Sequence, residues 1–562
     1  MILDIVPNHM ATDERNRYWT DPELKAKFFD IDEATGQHRR FFDIDHLAGV
    51  RQEDPEVFEE THRLAIALVR DGLVDGLRID HPDGMADPPG YLRLLADAGV
   101  EHVWVEKILD AGAGESLRDW PVEGTVGYEF LNDVQGLFVD PAGEDELTAL
   151  WTSVSGDERP FSAYAAEAKL EQATTTFRPE VERLERIEHV DDVEAKLAAL
   201  PIYRTYDGGA SEEDAEALRD AGYPDLYEGR SPAWVTRFQQ TTPPVMAKGV
   251  EDTAFYRYLR LLALNDVGGD PGRFGISVAQ FHAGNLERAR RFPNNLLITQ
   301  THDTKRSGDV RARIGALAGM AAEWRAQVER WRELNRELRD GDAPDAVEEY
   351  LIYQTIVGAW PLEPERLDGY LEKALREGKR NTTWVDQNTD WEDAVKAFGR
   401  RVMEHGPFLD AFLPFAERVA AAGHESAMAQ TLLKLTVPGV PDIYQGDELV
   451  ALSLVDPDNR REVDWERRRQ VLERGEESRD GEKLRLIVDL LALRKSRPEA
   501  FAGAYEPVDV GPDVCAFVRG GQVLVVAVLR EAGLDEQVAV PWSRPVRVGD
   551  LTEGRSFGWL AR

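Results

Sequence analysis

Four short apolar runs, each carrying a carboxylate within it or just beyond its end, constrain what this chain can fold into more than any other feature. They lie in Asp4-Ile-Val-Pro-Asn-His9, Gly76-Leu-Arg-Ile-Asp-His81, Val105-Glu-Lys-Ile-Leu109 and just before Thr301-His-Asp-Thr-Lys-Arg306. The segments Ile2–Val6, Gly76–Ile79, Val103–Val105 and Leu296–Thr299 read as buried strands, being brief, apolar and bounded by turn or polar residues. Thr61–Arg70 and Tyr91–Ala98 fall between them with apolar residues at helical spacing, as at Leu64 and Leu68. Strand, helix, strand in this alternation predicts parallel βα units. Side chains at the carboxyl ends of such strands share one cavity.

Asp80 and Glu106 are one βα unit apart. The stretch from Glu106 to Asp303 is far longer than the two units that belong there, so a large insertion is expected. Residues 144–226, rich in Ala, Glu, Leu and Arg, supply it as helices. A second helical insertion is expected over 316–422. It precedes Val437-Pro-Gly-Val-Pro-Asp-Ile-Tyr-Gln-Gly-Asp-Glu448, which reads as the last barrel strand and its loop. From Val508 onward short strands, Val514–Arg519 and Val523–Val528, flank Gly520-Gly521, a hairpin pattern that predicts a small β domain.

Charge and cysteine content exclude several classes. Lys plus Arg number 67 against 104 Asp plus Glu, a net charge of −37. That balance disfavours nucleic acid, whose binding depends on neutralising phosphates. The single cysteine, Cys515, leaves no internal disulfide and fits a reducing cytoplasm. No apolar run approaches the roughly 18 residues of a membrane span, and no secretory signal is visible at the first residues. No His/Cys grouping has metal-ligand spacing, so neither metal nor cofactor is expected.

The carboxylates themselves point to glycosidic chemistry, in which one ionised group attacks or stabilises the anomeric carbon and a protonated one serves the leaving oxygen. Asp80 and Glu106, at the ends of consecutive strands, can face a sugar from two sides. Arg78, two residues before Asp80, shares its strand face and can keep that carboxylate ionised. Asp303 adds a third carboxylate. His9 and His302 are donors suited to sugar hydroxyls, and Asn8 and Asp4 would brace the loop after the first strand.

The ordered set Asp, Asn-His, Arg-x-Asp, Glu, His-Asp resembles the α-amylase superfamily of retaining glycosidases and transglycosylases. Within it the chain is similar to the maltooligosyl trehalose synthase family. That likeness rests on Arg78-Ile-Asp-His-Pro-Asp-Gly84, Val105-Glu-Lys-Ile-Leu109, Gly124-Thr-Val-Gly-Tyr-Glu-Phe-Leu-Asn132, the run Pro244–Tyr258, Thr301–Arg306 and Leu454–Arg460. The resemblance implies a (β/α)8 TIM barrel acting on maltooligosaccharides, with Asp80 as nucleophile, Glu106 as acid and base, and Asp303 as stabiliser of the transition state. It implies substrate contacts from Arg78, Asn8, His9, His81, Lys107, Lys248, Glu251, Asp252, Tyr256, His302 and Lys305, with Asp4 structural. Phe255, Tyr203, Tyr206 and Trp384 are further stacking candidates. A trehalose-releasing hydrolase is the implied functional partner.

The expected layout is barrel over 1–143, beginning at its third strand and including a loop domain near 10–60. Helical insertion follows over 144–226, barrel over 227–315, insertion over 316–422, the end of the barrel over 423–500 and a C-terminal β domain over 501–562. A barrel lacking its first two βα units would be open, so the chain is expected to be a fragment, unstable or inactive alone. Gly308 stands where the family usually carries an acidic residue. Two other functions compete: an α-1,4-glucan hydrolase or glucanotransferase, and an inactive remnant that only binds glucan.

Overall fold

The computed structural model describes residues 1–562 and divides into two compact units, Met1–Val126 with Pro160–Ala254, and Gly127–Arg159 with Phe255–Arg562. No helix is long and apolar enough to cross a membrane.

In the first unit, β1 (Ile2–Ile5) is followed by β2 (His9–Ala11), β3 (Arg40–Phe41) and β4 (Ile44–Gly49), then by β5 (Gly76–Ile79), β6 (Val103–Val105) and β7 (Gly124–Thr125). Strands β1, β5, β6 and β7 form one parallel sheet in that order. The expected strands are therefore present, β1 ending one residue early. The helix between β1 and β5 spans Pro55–Arg70 and starts before the expected Thr61. Asp54 caps it by accepting from the N–H groups of Glu56 and Val57, and Pro55 occupies its first turn. Asp87 does the same for Pro88–Asp97, accepting from the Gly90 N–H.

Strands β2, β4 and β3 make a small antiparallel sheet over a core of Phe28, Phe29, Ala48, Val50 and Val57. Helices Phe161–Thr174, Arg178–Ile187, Val193–Ala199 and Pro232–Met246 bury Phe177, Val181, Leu184, Leu197, Trp234 and Phe238 together.

The second unit contains a parallel pair, β8 (Leu296–Leu297) and β9 (Val440–Pro441), in register Leu296 to Val440. The expected strand over Leu296–Thr299 is thus two residues long. Its antiparallel sheet joins β10 (Tyr505–Val508), β11 (Val514–Arg519) and β12 (Val523–Val528) to β15 (Phe557–Ala561), while β13 (Gln537–Val538) and β14 (Val546–Arg547) pair separately. Gly520 and Gly521, both at positive φ, make the β11–β12 turn. Alternation sends Cys515, Phe517, Val523 and Val525 into one core with Leu432, Leu433 and Leu490. Val514, Ala516, Leu524 and Val526 enter another with Val538 and Val548.

Helix Glu144–Ser155 belongs to the second unit, whereas the helices from Phe161 to Asp220 belong to the first. Helix Gly406–Thr436 runs without a break through position 422. The Ala-rich stretch there favours helix, and Gly423 lets it lie close to helix Gly308–Ala316, where an added Cβ would come within 2.6 Å of Arg313 Cα.

Candidate active site

Parallel register sets the centre of the site. Asp4 on β1 lies opposite Arg78 on β5. Just past the strand ends, the Asp80 N–H donates to the Ile5 carbonyl at 3.0 Å and the Glu106 N–H to the Ile79 carbonyl at 2.9 Å. Residues 78 and 80 share a strand face, and Arg78 Nη1 reaches Asp80 Oδ1 at 2.6 Å and Asp4 Oδ1 at 3.0 Å. Its Nη2 reaches Glu106 Oε1 at 3.0 Å, so one guanidinium holds both candidate catalytic carboxylates. Burial alone would lower the Arg78 pKa; the charges of Glu106, Asp80 and Asp4 outweigh it and raise it above the ordinary arginine value. The His81 N–H adds a bond to Glu106 Oε2 at 3.3 Å from a left-handed backbone, φ 45°.

His9 stacks on Phe41 with ring centroids 3.9 Å apart. Burial first, then the His81 charge, lowers its pKa to about 4, leaving a neutral imidazole near pH 7. Burial likewise lowers His81. Both are therefore neutral hydrogen-bonding groups rather than cations.

Several expected sugar contacts are turned inward. Asn8 is buried and its Oδ1 accepts from Arg39 Nη1 at 3.1 Å, so it fixes the turn after β1. Lys107 is 1 % exposed. Its Nζ donates to Glu115 Oε1 at 2.7 Å and the Ile108 carbonyl at 2.7 Å, and pairs with Asp83 Oδ2 at 3.3 Å. The Tyr206 hydroxyl donates to Asp83 Oδ1 and the Tyr203 hydroxyl to Glu251 Oε1, which makes these rings and Glu251 parts of the wall. Arg204 closes the layer by donating to the carbonyls of Met85 at 2.6 Å and Ala86 at 3.1 Å. Lys248 and Asp252 differ: half-buried, they pair at 3.1 Å, with Lys248 also 3.7 Å from Asp43.

In the second unit, His302 Nε2 meets Asp303 Oδ2 at 3.1 Å, and Arg460 stands 3.9 Å from Asp303 Oδ1. Burial would raise the Asp303 carboxyl; the His302 hydrogen bond and the charges of His302, Lys305 and Arg460 hold it below its usual range. Lys305 is buried, its N–H donating to Asp266 Oδ1 at 3.1 Å. Tyr256 and Phe255 are buried, while Trp384 lies exposed under Arg376.

Gly308 opens its helix beneath the Thr299 carbonyl, where a Cβ would sit 3.3 Å from the oxygen. The neighbouring Asp309 is the one that binds, to Lys483 at 2.7 Å and the Ala451 N–H at 2.8 Å.

Sequence reasoning missed the groups that hold these loops. Asp266 pairs with Arg311 at 2.8 Å, and Asp447 with Lys483 at 2.7 Å, all buried. Isolated Lys or Asp residues distant in sequence give no signal of such pairing. No group of three or more His, Cys, Asp or Glu side chains could hold a metal ion.

No family model matches the chain. A maltooligosyl trehalose synthase relative from Mycobacterium tuberculosis, strains CDC 1551 and H37Rv, is 38% identical over 545 residues, covering 89% of this chain and 69% of its own length. The structure of maltooligosyltrehalose synthase from Arthrobacter ramosus superposes with a TM-score of 0.90 at 34% identity, over 100% of this chain and 89% of that one. A hypothetical maltooligosyl trehalose synthase from Sulfolobus tokodaii superposes at 0.83 and 30% identity, over 100% and 88%.

Proposed function

Because the chain belongs to the maltooligosyl trehalose synthase family, we propose that Asp80, Glu106 and Asp303 are the groups with which it works on glucan. The enzyme is an intramolecular transferase of trehalose biosynthesis. It converts the reducing-end α-1,4 linkage of a maltooligosaccharide to an α,α-1,1 linkage.

Asp80 attacks the anomeric carbon of the penultimate glucose while Glu106 protonates the departing O4 of the terminal one. The freed glucose stays bound and turns. Glu106, now a base, takes the proton from its anomeric hydroxyl, which attacks the glycosyl-enzyme and releases Asp80. Two inversions retain the α configuration. Asp303 steadies positive charge on the ring through the sugar hydroxyls. The observation that carries this reading is the Arg78 guanidinium shared by Asp80 and Glu106. It draws the two carboxylates together at the ends of neighbouring strands, the placement that a nucleophile and its acid partner on one glycosidic bond require.

His9, His81, Lys248, Asp252 and His302 are the side chains assigned to sugar hydroxyls. Water competes with the anomeric hydroxyl, so holding the glucose in place and excluding solvent decide the product. The strands are assigned to a TIM barrel, the setting to the cytoplasm, and the next step to a hydrolase that releases trehalose.

Incubation with maltopentaose tests this. Reducing ends should disappear without chain shortening, and Asp80→Asn should abolish the change. Release of shorter sugars would favour a hydrolase or glucanotransferase. Normal turnover by Asp80→Asn would remove the nucleophile assignment.

A further inference from the structure

A second charged site lies in the first unit, apart from the carboxylates assigned to catalysis. Asp30 receives three arginines: Arg183 Nη2 at 2.6 Å, Arg237 Nη2 at 2.7 Å and Arg39 Nε at 3.2 Å. One carboxylate thus faces three guanidinium groups, an excess of two positive charges in a chain of net charge −37. The neighbours reduce it to one, because Arg40 meets two carboxylates. Arg186 is matched by Asp32 at 2.7 Å, and Arg40 by Glu180 at 2.8 Å and the exposed Asp45 at 3.3 Å. Glu53, whose charge also acts on Arg39, pairs with Arg51 at 3.4 Å.

A cavity of about 340 Å³ opens against this cluster, lined by Arg39, Arg183 and Arg237 and by Phe41, His81 and Gln240 among others. Arg183 and Arg237 each spend one nitrogen on Asp30, and Arg237 Nε is buried with no hydrogen-bond partner. Buried excess charge is costly unless matched. Burial also lowers the Arg39 pKa to about 10 against the pull of Asp30. Guanidinium forks match phosphate oxygens in charge and geometry. The aromatic and amide walls beside them suit a sugar ring, whose apolar face stacks on rings while its hydroxyls bond to amides.

We infer that this cavity binds a phosphate dianion, free or carried by a hexose, with the phosphate on Arg183 and Arg237, while Arg39, whose three nitrogens donate to Asp30 and Asn8, adds charge behind them. Its phosphate ligands include neither Asp80 nor Glu106, although His81, assigned to a sugar hydroxyl, also lines the cavity.

Isothermal titration calorimetry of the full chain with inorganic phosphate and with glucose 6-phosphate tests it. Both should bind saturably at one site, and Asp80→Asn should leave that binding intact. Arg183→Gln and Arg237→Gln should each weaken it at least tenfold. Asp30→Asn removes the competing carboxylate and should tighten it several-fold. Arg159→Gln, which alters an exposed arginine paired with Asp157, should change nothing. Tighter binding of glucose 6-phosphate assigns the site to a hexose phosphate, and equal binding assigns it to the free anion. Absence of saturable binding, or unchanged binding in folded Arg183→Gln and Arg237→Gln, overturns the inference. Should the arginine variants fail to fold, Asp30→Asn decides: no gain in affinity, and no larger phosphate-induced rise in melting temperature than wild type, would also overturn it.

Discussion

Asp4 stands across from Arg78 in the register of two neighbouring parallel strands, and its carboxylate meets Arg78 Nη1 at 3.0 Å. The same nitrogen serves Asp80 at 2.6 Å, so Asp4 steadies the guanidinium from the side away from Glu106's contact on Nη2. Asp4 is largely exposed, which limits its share, whereas Arg78 is nearly covered.

Arg78→Lys should therefore be far from conservative. A point-charge ammonium cannot span Asp80 and Glu106 with two fixed nitrogens, and kcat on maltopentaose is expected to fall by about 10²–10³-fold. Asp4→Asn should change kcat by no more than about threefold, as for an exposed ion pair. Steady-state kinetics of the two variants, compared with wild type, check the contrast.

Lys107 is expected to matter for stability before it matters for sugar binding. Its ammonium answers the buried carboxylates of Asp83 and Glu115. Lys107→Met should cost about 3–5 kcal/mol at pH 7, the penalty of leaving such charges unmatched. Burial lowers the Lys107 pKa, but the charges of Asp83 and Glu115 outweigh it and raise it above 10.5. The pairing is thus fully present below pH 10.5 and lost as pH rises beyond it. Melting curves of wild type and variant should diverge at pH 7 and converge in strong alkali.

His62 should contribute to acid instability. It is 2 % exposed, bonded to the Phe58 carbonyl and the Tyr91 hydroxyl, and burial lowers its pKa to about 4 from 6.5. Between those values the unfolded chain binds more protons than the folded one, so stability rises with pH there and falls as pH drops from 6.5 toward 4. The full effect is about 3 kcal/mol. His62→Gln should lose less melting temperature than wild type between pH 7 and pH 4.5; an equal loss would rule His62 out.

Gly127 should tolerate no side chain. It sits at φ 98°, and a Cβ there would collide with the Leu296 carbonyl oxygen at the start of β8. Gly127→Ala is expected to destabilise by roughly 2 kcal/mol or more, combining backbone strain with displacement of β8. Chemical denaturation of the variant measures it. Gly156→Ala, also at positive φ but with open space around it, isolates the strain alone.

The strands and their carboxylates were legible because a short apolar run ended by Asp or Glu leaves a local trace. Ile79 and Val105 each announce the residue that follows. Helix Pro55–Arg70 was half legible: its apolar stripe shows in the sequence, but its start depends on Asp54 acting as a cap. Asn8 was read both as a brace for the turn after β1 and as a sugar contact, and Lys107 as a sugar contact; segments remote in sequence bury both. Arg39 covers Asn8 and Glu115 answers Lys107. The arginine cluster on Asp30 was not legible at all. Arg183 and Arg237 come from two helices more than a hundred residues beyond Asp30, and each alone reads as a solvated surface charge.

The final carbonyl of each strand holds the residue just past the next one: Ile5 takes the Asp80 N–H, Ile79 the Glu106 N–H, and Val105 the Val126 N–H. Slipping any one strand by a single residue would swap its faces and move its charged groups out of reach of their partners. The charges of Arg78, Asp80 and Glu106 would then stand unanswered. The site thus acts as a checksum on the sheet: the groups assigned to bond-making also discriminate against folding errors that apolar strands, being alike, would otherwise allow.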